Sequence, residues 1–259
     1  MDSSLSVSAI ERQTQILQWI SRRQRITVAE VCRQFSVSEA TARRDLDKLH
    51  EFGQIKRIHG GAIMVERSLS EVPVIQRISQ NAEEKRKIGK LAASFIKEGD
   101  TVFIGSGSTT QEVARNLIGR QNITVITNAM TVINLLSQEE NISLIAIGGF
   151  LRSSELSFIG HLTEQALREL RSQKVFMGIH SISLVEGLTS DYLPEVSTDR
   201  VIIQSAPEMI LVADHTKFGR VSTAVVAPLS AIHTLVTDTG INEATLASLR
   251  KIVKHVLLA

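Results

Sequence analysis

The chain has 259 residues, 43% of them hydrophobic, which is enough to bury a core in more than one domain. The formal net charge of +2 does not by itself indicate nucleic-acid binding, since residues 1–66 hold ten Lys and Arg against eight Asp and Glu, and residues 67–259 hold nineteen of each. The single cysteine, Cys32, excludes an internal disulfide, and no run approaches the roughly 18 apolar residues of a membrane span, so we expect a cytoplasmic, unexported protein.

The first quarter of the chain has the pattern of three short helices. Apolar residues recur at helical spacing over 9–23, and the stretches "ITVAEVCRQF" and "SEATARRDLDKLHEFG" predict two further helices. Thr27 and Ser38 stand where their N-caps belong. Because about three residues join the last two helices, the pattern predicts a helix-turn-helix.

The stretch "QIKRIHGGAIMV" alternates apolar and polar residues around a Gly60-Gly61 turn, which predicts a β-hairpin wing. In a helix-turn-helix, the second helix of the motif enters the major groove and its first turns face bases and phosphates. Hydroxyls and guanidinium groups suit those contacts. The candidate DNA-binding residues are Ser38, Thr41, Arg43, Arg44 and Lys48 in the helix, and Lys56, Arg57 and His59 in the wing.

A solvated helical face is the alternative for this region. Glu39, Asp45, Asp47 and Glu51 interleave with the basic residues, so the charges could simply pair at i,i+4 spacing. Composition alone does not decide between the two interpretations.

Residues 12–46 resemble the DNA-binding region of the DeoR family of bacterial sugar-responsive transcription regulators. The stretch "RIHGGA" is similar to the wing of that family. The matching positions are Arg12, Ile16, Ile20, Ser38, Thr41, Ala42, Arg43, Arg44, Asp45 and Leu46. The resemblance implies that residues 1–62 form a winged helix-turn-helix domain that binds double-stranded operator DNA.

Residues 63–80 have no sustained period and contain Pro73, which predicts a linker. From residue 81 to 259, short apolar strands such as "TVFI", "ITVIT", "KVFMGI" and "HTLVT" alternate with helical segments such as "TEQALREL". This alternation predicts a parallel, doubly wound α/β domain. The stretch "TAVV" is among the predicted strands.

The loop "GSGSTT" lies between a predicted strand and a predicted helix. Amide groups at a helix N-terminus, with hydroxyls beside them, bind anions, and glycine lets the backbone come close. The loop therefore favours a phosphate, although a tight connection without a ligand is the alternative. Its residues are Gly105, Ser106, Gly107, Ser108, Thr109 and Thr110.

Polar residues follow other strands in the same sense. Because loops at the carboxyl ends of parallel strands gather at one rim of a sheet, we expect them to converge on the phosphate loop, unless each is only an independent capped turn. The candidate effector-binding residues in these loops are Asn128, Gly148, Gly149, Arg152 and Lys217.

The resemblance to the DeoR family continues through "SGSTT", "VITN", "GGFLR", "KVFMGI" and "LVADHTKFG". It implies an effector-binding and oligomerisation domain over 81–259 with a fold like that of ribose-5-phosphate isomerase. It also implies a phosphorylated sugar or sugar-acid effector and a homo-oligomer, either a dimer or a tetramer. The chain departs from the family at Gly105 and His180, where members usually carry aspartate. The resemblance implies that both positions border the effector, so His180 is a further candidate effector-binding residue, and the hydroxyl pattern of the family's usual effectors does not carry over to this chain.

A sugar-phosphate isomerase is the second hypothesis, because "GSGST" is similar to the phosphate loop of that enzyme. Isomerisation needs a general base and an acid. Residues 176–192 offer only the scattered Glu186 and Asp191. The seven histidines show no close pairing and no HExxH spacing, so no metal or cofactor is predicted. The sequence therefore favours a regulator, most simply a repressor of a sugar-catabolic operon, over an enzyme.

Overall fold

The computed structural model describes residues 9–23, 25–51, 55–58, 60–64 and 72–259. These residues fall into two compact units, one within residues 1–71 and the other covering 72–259. In the described ranges, no helix is both long and apolar enough to cross a membrane.

The small unit is a winged helix-turn-helix, as the sequence predicts. Its elements are α1 (Ala9–Arg23), β1 (Arg25–Thr27), α2 (Val28–Phe35), α3 (Glu39–Glu51), β2 (Ile55–Ile58) and β3 (Gly61–Met64). The strands pair antiparallel in the order β1-β3-β2. Ile16, Val31, Leu46 and Ile55 are buried in one core, which holds the helices against this sheet.

Local hydrogen bonds explain where α2 and α3 begin. The Thr27 hydroxyl accepts from the Glu30 amide at 3.2 Å, and the Glu30 carboxylate accepts from the Thr27 amide at 2.7 Å, which is a complete capping box. The Ser38 hydroxyl accepts from the Thr41 amide at 3.3 Å. Both predicted N-caps are therefore confirmed.

The predicted glycine turn of the wing has two separate causes. Gly60 has φ of +75°, a backbone conformation that favours glycine. Gly61 lies so close to β1 that an added Cβ would stand 2.2 Å from the Ile26 carbonyl oxygen. A side chain at either position would thus distort the wing.

The large unit is an α/β fold. Its strands are β4 (Thr101–Ile104), β5 (Ile123–Thr127), β6 (Ile142–Ala146), β7 (Phe150–Arg152), β8 (Ser157–Ile159), β9 (Lys174–Met177), β10 (Ser181–Ser183), β11 (Gly187–Ser190), β12 (Glu208–Val212), β13 (Ala224–Ala227), β14 (Thr234–Thr237) and β15 (His255–Leu258). Its helices are α4 (Val74–Arg77), α5 (Ala82–Ala93), α6 (Ser108–Arg115), α7 (Met130–Leu136), α8 (His161–Glu169), α9 (Leu193–Gln204) and α10 (Glu243–Leu249).

Seven strands form one parallel sheet in the order β15-β14-β12-β9-β4-β5-β6. Apolar side chains on its two faces belong to two separate cores. Ile88 of α5, Val113 of α6 and Val132 of α7 pack in one. Leu167 of α8 and Ile202 of α9 pack in the other. Helices on both faces make the sheet doubly wound, which confirms the predicted fold class.

Two smaller sheets were not predicted. The antiparallel strands β7 and β8 form a hairpin, and β10, β11 and β13 form a second antiparallel sheet. The stretch "TAVV" is indeed a strand, β13, but it pairs with β11 and not with the parallel sheet. The apolar pattern within one β-strand does not show which sheet that strand joins.

Part of the predicted linker belongs to the folded units. Residues 63 and 64 complete β3, and residues 72–80 group with the large unit. There, the Val74 amide donates to the Ser154 carbonyl at 2.8 Å, and Val74 is buried. Helix α4 has one turn, so it is too short to produce the sustained period on which the sequence prediction relied.

Strand order decides which loops can meet. Strand β4 lies between β9 and β5, and β12 is the next strand beyond β9. The loops that follow β4, β9 and β12 are therefore neighbours at one rim of the sheet, whereas β6 lies at its edge.

Candidate functional site: a DNA-binding helix and an anion pocket

Helix α3 presents one polar face. Ala42, Leu46 and Leu49 are buried against the rest of the small unit. Arg44 and Lys48 are exposed, and Thr41 is half-buried one turn earlier on the same side of the helix. In the described part of the chain, the side chains of Arg44 and Lys48 form no hydrogen bond or ion pair. They are therefore available to an external anion.

Other predicted DNA-binding residues are engaged within the unit. Arg43 donates to the Glu39 carboxylate at 3.0 Å, the i,i+4 pairing that the sequence left open. Arg57 donates to Asp47 at 2.8 Å and to the Gly61 carbonyl at 2.6 Å, which joins the wing to α3. The side chain of Lys56 and all of His59 lie outside the described residues.

A buried carboxylate fixes the orientation of α3. Asp45 is 3% exposed and accepts from the Arg12 guanidinium at 2.6 Å and from Gln13 at 2.9 Å. Both donors lie on α1. This connection holds the exposed face of α3 in a constant position on the small unit.

The large unit has a pocket at the rim where the loops after β4, β9 and β12 meet. The phosphate loop forms one wall, since Gly105, Ser106, Gly107, Ser108 and Thr109 all line it. Gly107, with φ of +131°, is the N-cap of α6 and provides no side chain to cap it. The first amides of α6 have no acceptor within the helix, so they present N–H groups to the pocket.

The hydroxyls of this loop divide into two groups. Thr110 is fully buried and donates to the Gly107 carbonyl at 2.9 Å, which stabilises the loop from behind. The hydroxyls of Ser106, Ser108 and Thr109 form no hydrogen bond with any described residue. Three hydroxyls and several amides thus remain for a ligand.

Two cations, Lys217 and Arg77, also line the pocket. Lys217, in the 3₁₀ helix after β12, has a pKa below its usual value because of burial and the nearby Arg77. Its ammonium has no hydrogen bond or ion pair among the described residues. Arg77 of α4 is ion-paired with the buried Glu155. Lys217 is therefore the cation most available to an anionic ligand.

His180 follows β9 and also lines the pocket. Its Nε2 is 3.7 Å from the Glu155 carboxylate. Burial lowers the pKa of His180 to about 4, despite the opposing effect of Glu155. The ring is therefore neutral at pH 7 and offers hydrogen bonds, not charge.

Three carboxylates line the same pocket. Glu155 belongs to the β7–β8 turn and pairs with Arg77. Glu195 of α9 accepts from Arg152 and, at 2.8 Å, from the Ser157 hydroxyl. Asp199 lies one turn further along α9, and burial raises its pKa to about 7. The acidic groups missing from residues 176–192 are thus supplied from elsewhere in the chain.

The predicted convergence of four loops is only partly correct. His180, Lys217 and the loop residues 105–109 meet, but Asn128, Gly148, Gly149 and Arg152 do not line the pocket. Thr110 does not line it either, because it lies behind the loop.

A structural contact accounts instead for each of the four residues that follow strands but lie outside the pocket, namely Asn128, Gly148, Gly149 and Arg152. Asn128 donates to the Phe158 carbonyl at 2.8 Å, and the Gly148 carbonyl accepts from Thr163 at 2.9 Å. A Cβ on Gly149 would stand 2.0 Å from the Thr163 hydroxyl. Arg152 pairs with Glu195, and its guanidinium lies 4.1 Å from the centre of the Tyr192 ring.

Sequence reasoning missed the four charged pocket residues Arg77, Glu155, Glu195 and Asp199. None of them follows a strand of the parallel sheet, so the expectation that polar residues gather at the carboxyl ends of those strands does not include them. The stretch "LPEVSTDRVI" holds the one usable signal, since Pro194 suits a helix start and Glu195 and Asp199 then share a face at i,i+4.

Two family models match the chain, and together they cover most of it. The DeoR-like helix-turn-helix domain matches residues 12–68, and the DeoR C terminal sensor domain matches residues 80–239. The first match contains α3 and the wing. The second contains the phosphate loop, the carboxylates of α9 and Lys217.

Curated relatives match along most of their length. The transcriptional repressor AccR of Agrobacterium fabrum is 36% identical over 234 residues, which is 90% of this chain and 91% of that protein. The regulator IolR of Bacillus subtilis is 36% identical over 84% of this chain and 86% of that protein. The glycerol-3-phosphate regulon repressor of Escherichia coli is 33% identical over 88% and 90%.

Solved structures of other proteins also align with part of this chain. A ribose 5-phosphate isomerase A structure from Methanocaldococcus jannaschii aligns with a TM-score of 0.41 and 20% identity, over 54% of this chain and 55% of that one. The relatives with high coverage are transcriptional regulators, which decides against the isomerase hypothesis. The protein belongs to the DeoR family of DNA-binding transcription regulators.

Proposed function

We propose that the protein represses an operon of sugar or related catabolism under the control of a phosphorylated sugar or sugar acid. The observation that carries the proposal is the pocket of the large unit, which is lined both by the helix N-terminus with its hydroxyls and by Lys217, whose ammonium has no partner among the described residues. The name of one relative, the glycerol-3-phosphate regulon repressor, also refers to a phosphorylated metabolite.

The phosphate is proposed to bind at the N-terminus of α6. The partial positive charge of the helix and the amides around Ser108 and Thr109 favour an anion there. Lys217 adds a full charge, and the glycines at 105 and 107 let the ligand approach the backbone. A carboxylate introduced at this point should therefore exclude the ligand.

The exposed face of α3 is proposed to bind the operator through Ser38, Thr41, Arg44 and Lys48. An operator with two-fold symmetry binds two DNA-binding domains. The active form is therefore proposed to be a homodimer or a tetramer joined through the large unit. A regulator of this kind works in the compartment that holds the chromosome, which fits the expected cytoplasmic location.

Arg77 offers a route from the pocket to the DNA-binding unit. It lines the pocket from α4, and α4 is the first helix of the large unit after residues 65–71, which lie between the described parts of the two units. A bound anion changes the charge balance around the Arg77–Glu155 pair. An effector can shift the equilibrium between two states only by binding one of them more tightly, and the position of α4 is the proposed difference.

Thermal unfolding of the full chain with phosphorylated sugars and sugar acids tests the binding step. A ligand at about a hundredfold its Kd should add roughly 2.7 kcal/mol, which raises the unfolding midpoint by several degrees. The Ser108→Asp variant should lose this shift because its carboxylate occupies the anion position.

The matched control is Ser197→Asp, which places the same charge on the exposed side of α9, outside the pocket. It should keep the shift. If no phosphorylated compound stabilises the wild type, or if Ser108→Asp is stabilised equally, the proposed phosphate site is wrong.

A further inference from the structure

We propose that Asp199 selects the effector by accepting hydrogen bonds from donor groups at the end of the ligand remote from its phosphate. The inference rests on the proposed function, because it assumes that the phosphate occupies the loop at the N-terminus of α6. The inference adds a residue that recognises the part of the ligand other than its phosphate.

The charges of the pocket are almost completely paired without a ligand. Arg77 pairs with Glu155, and Arg152 pairs with Glu195, which also receives the Ser157 hydroxyl. Asp199 has no hydrogen bond or ion pair with any residue that the structure describes. Lys217 and the ionised form of Asp199 are thus the two pocket charges without a partner among the described residues.

The environment makes the unpaired state of Asp199 unfavourable. Its carboxyl lies on the pocket wall with Met177, Ile179 and Ile202 among the other lining residues. Burial and the nearby Glu155 both raise its pKa, and Arg152 only partly opposes them. Asp199 is half-buried, and an acceptor that loses water without gaining donors costs free energy. A ligand that supplies donors regains this free energy, and a ligand that lacks them does not.

Helix α9 holds Asp199 in a fixed position. Glu195, one turn earlier, is attached to Arg152 and Ser157 of the β7–β8 hairpin. Ile202, one turn later, is buried in the core. The carboxyl is therefore presented by a rigid helix, which is the arrangement that gives a binding site its selectivity.

The complementary ligand has an anion at one end and donors at the other. The amides of α6 and Lys217 take the phosphate, and Asp199 takes hydroxyl or ammonium groups. In its ionised form, Asp199 would repel a second anionic group. Hydroxyl and ammonium groups can both donate a hydrogen bond to the Asp199 carboxylate, so the experiment compares ligands that carry one or the other.

The test measures the affinity of the full chain for inorganic phosphate, ribose 5-phosphate, glucose 6-phosphate and glucosamine 6-phosphate by titration calorimetry. At least one sugar phosphate should bind the wild type more tightly than inorganic phosphate, by about tenfold or more. Asp199→Asn should remove most of that advantage and leave the affinity for inorganic phosphate nearly unchanged or slightly higher. Glu169→Gln, on the exposed surface of α8, is the matched control and should behave like the wild type.

The outcomes separate this inference from the proposed function. If Asp199→Asn keeps the full advantage of sugar phosphates, or if no sugar phosphate exceeds inorganic phosphate in the wild type, Asp199 does not select the effector, although the phosphate site stands. If inorganic phosphate and all the sugar phosphates fail to bind, the proposed function fails first. A preference for glucosamine 6-phosphate over glucose 6-phosphate that Asp199→Asn abolishes identifies an ammonium as the donor.

Discussion

The two units arrange their functional groups differently. In the small unit, the proposed DNA contacts lie on one exposed face of a single helix, α3, so they are neighbours in the sequence. In the large unit, the pocket takes side chains from α4, the β7–β8 turn, α9 and three strand ends. Exposed cations such as Arg44 need no partner because water solvates them, whereas most pocket charges are buried and need a carboxylate or guanidinium beside them. A charge without a partner therefore indicates a ligand more strongly in the pocket than on α3.

The largest expected effect is a difference in stability between two variants, one that removes a paired cation and one that removes an unpaired cation. Arg152→Ala leaves the buried Glu195 without its guanidinium and should lower the free energy of unfolding by about 3 to 5 kcal/mol. Lys217→Ala removes no internal ion pair and should change stability far less while it weakens effector binding. Urea unfolding of both variants measures the difference, and equal losses of stability would contradict the assignment of Arg152 as structural.

A smaller effect tests the same distinction on α3. Arg44→Ala should weaken operator binding by about 1 to 3 kcal/mol if its guanidinium contacts a base. Arg43→Ala should cost less, because Glu39 already occupies that guanidinium. Gel-shift titrations against an operator selected from random DNA measure both, with a melting curve for each variant. A larger loss for Arg43→Ala would reverse the assignment.

The smallest expected effect concerns pH. Since the pKa of Asp199 is raised to about 7, the folded protein holds this proton between about pH 4 and 7 while the unfolded chain releases it. The free energy of unfolding therefore falls as pH rises through this window. An asparagine side chain cannot ionise, so the Asp199→Asn variant does not lose stability in this way. At pH 8 its free energy of unfolding should exceed that of the wild type by on the order of 1 kcal/mol, which raises the unfolding midpoint by about 2 to 4 °C.

The gain should shrink as the pH is lowered to 5, where the wild-type carboxyl is protonated. Thermal unfolding of both proteins at several pH values measures it. A variant that is less stable than the wild type at pH 8 would show that the Asp199 carboxylate has an internal partner.

The sequence predicted the functional elements that depend on local order. The caps Thr27 and Ser38, the wing glycines and the strand-to-helix loop at Gly105–Thr110 are recognisable because neighbouring residues determine them. The placement of DNA-binding and effector-binding residues in named roles stays a prediction that the experiments above address.

Long-range contacts account for what was missed. A sequence does not distinguish a guanidinium aimed at a ligand from one held by a carboxylate 43 residues away, as Arg152 is held by Glu195. Helix α9 contacts α8, β8 and β13, so its apolar residues do not form one simple stripe, and Asp199 was not predicted to share a pocket with the phosphate loop. Arg77 was not predicted as a pocket residue because α4 is a single turn within the predicted linker.

The most direct test of the account asks whether the phosphate loop controls DNA binding. The measurement is operator affinity of the full chain, in gel shifts with and without the phosphorylated compound that stabilises the wild type most, for the wild type and for Ser108→Asp. The account predicts that both proteins bind the operator alike without the compound, and that only the wild type changes its affinity when the compound is added. A Ser108→Asp protein with a normal melting curve that still responds like the wild type would contradict it.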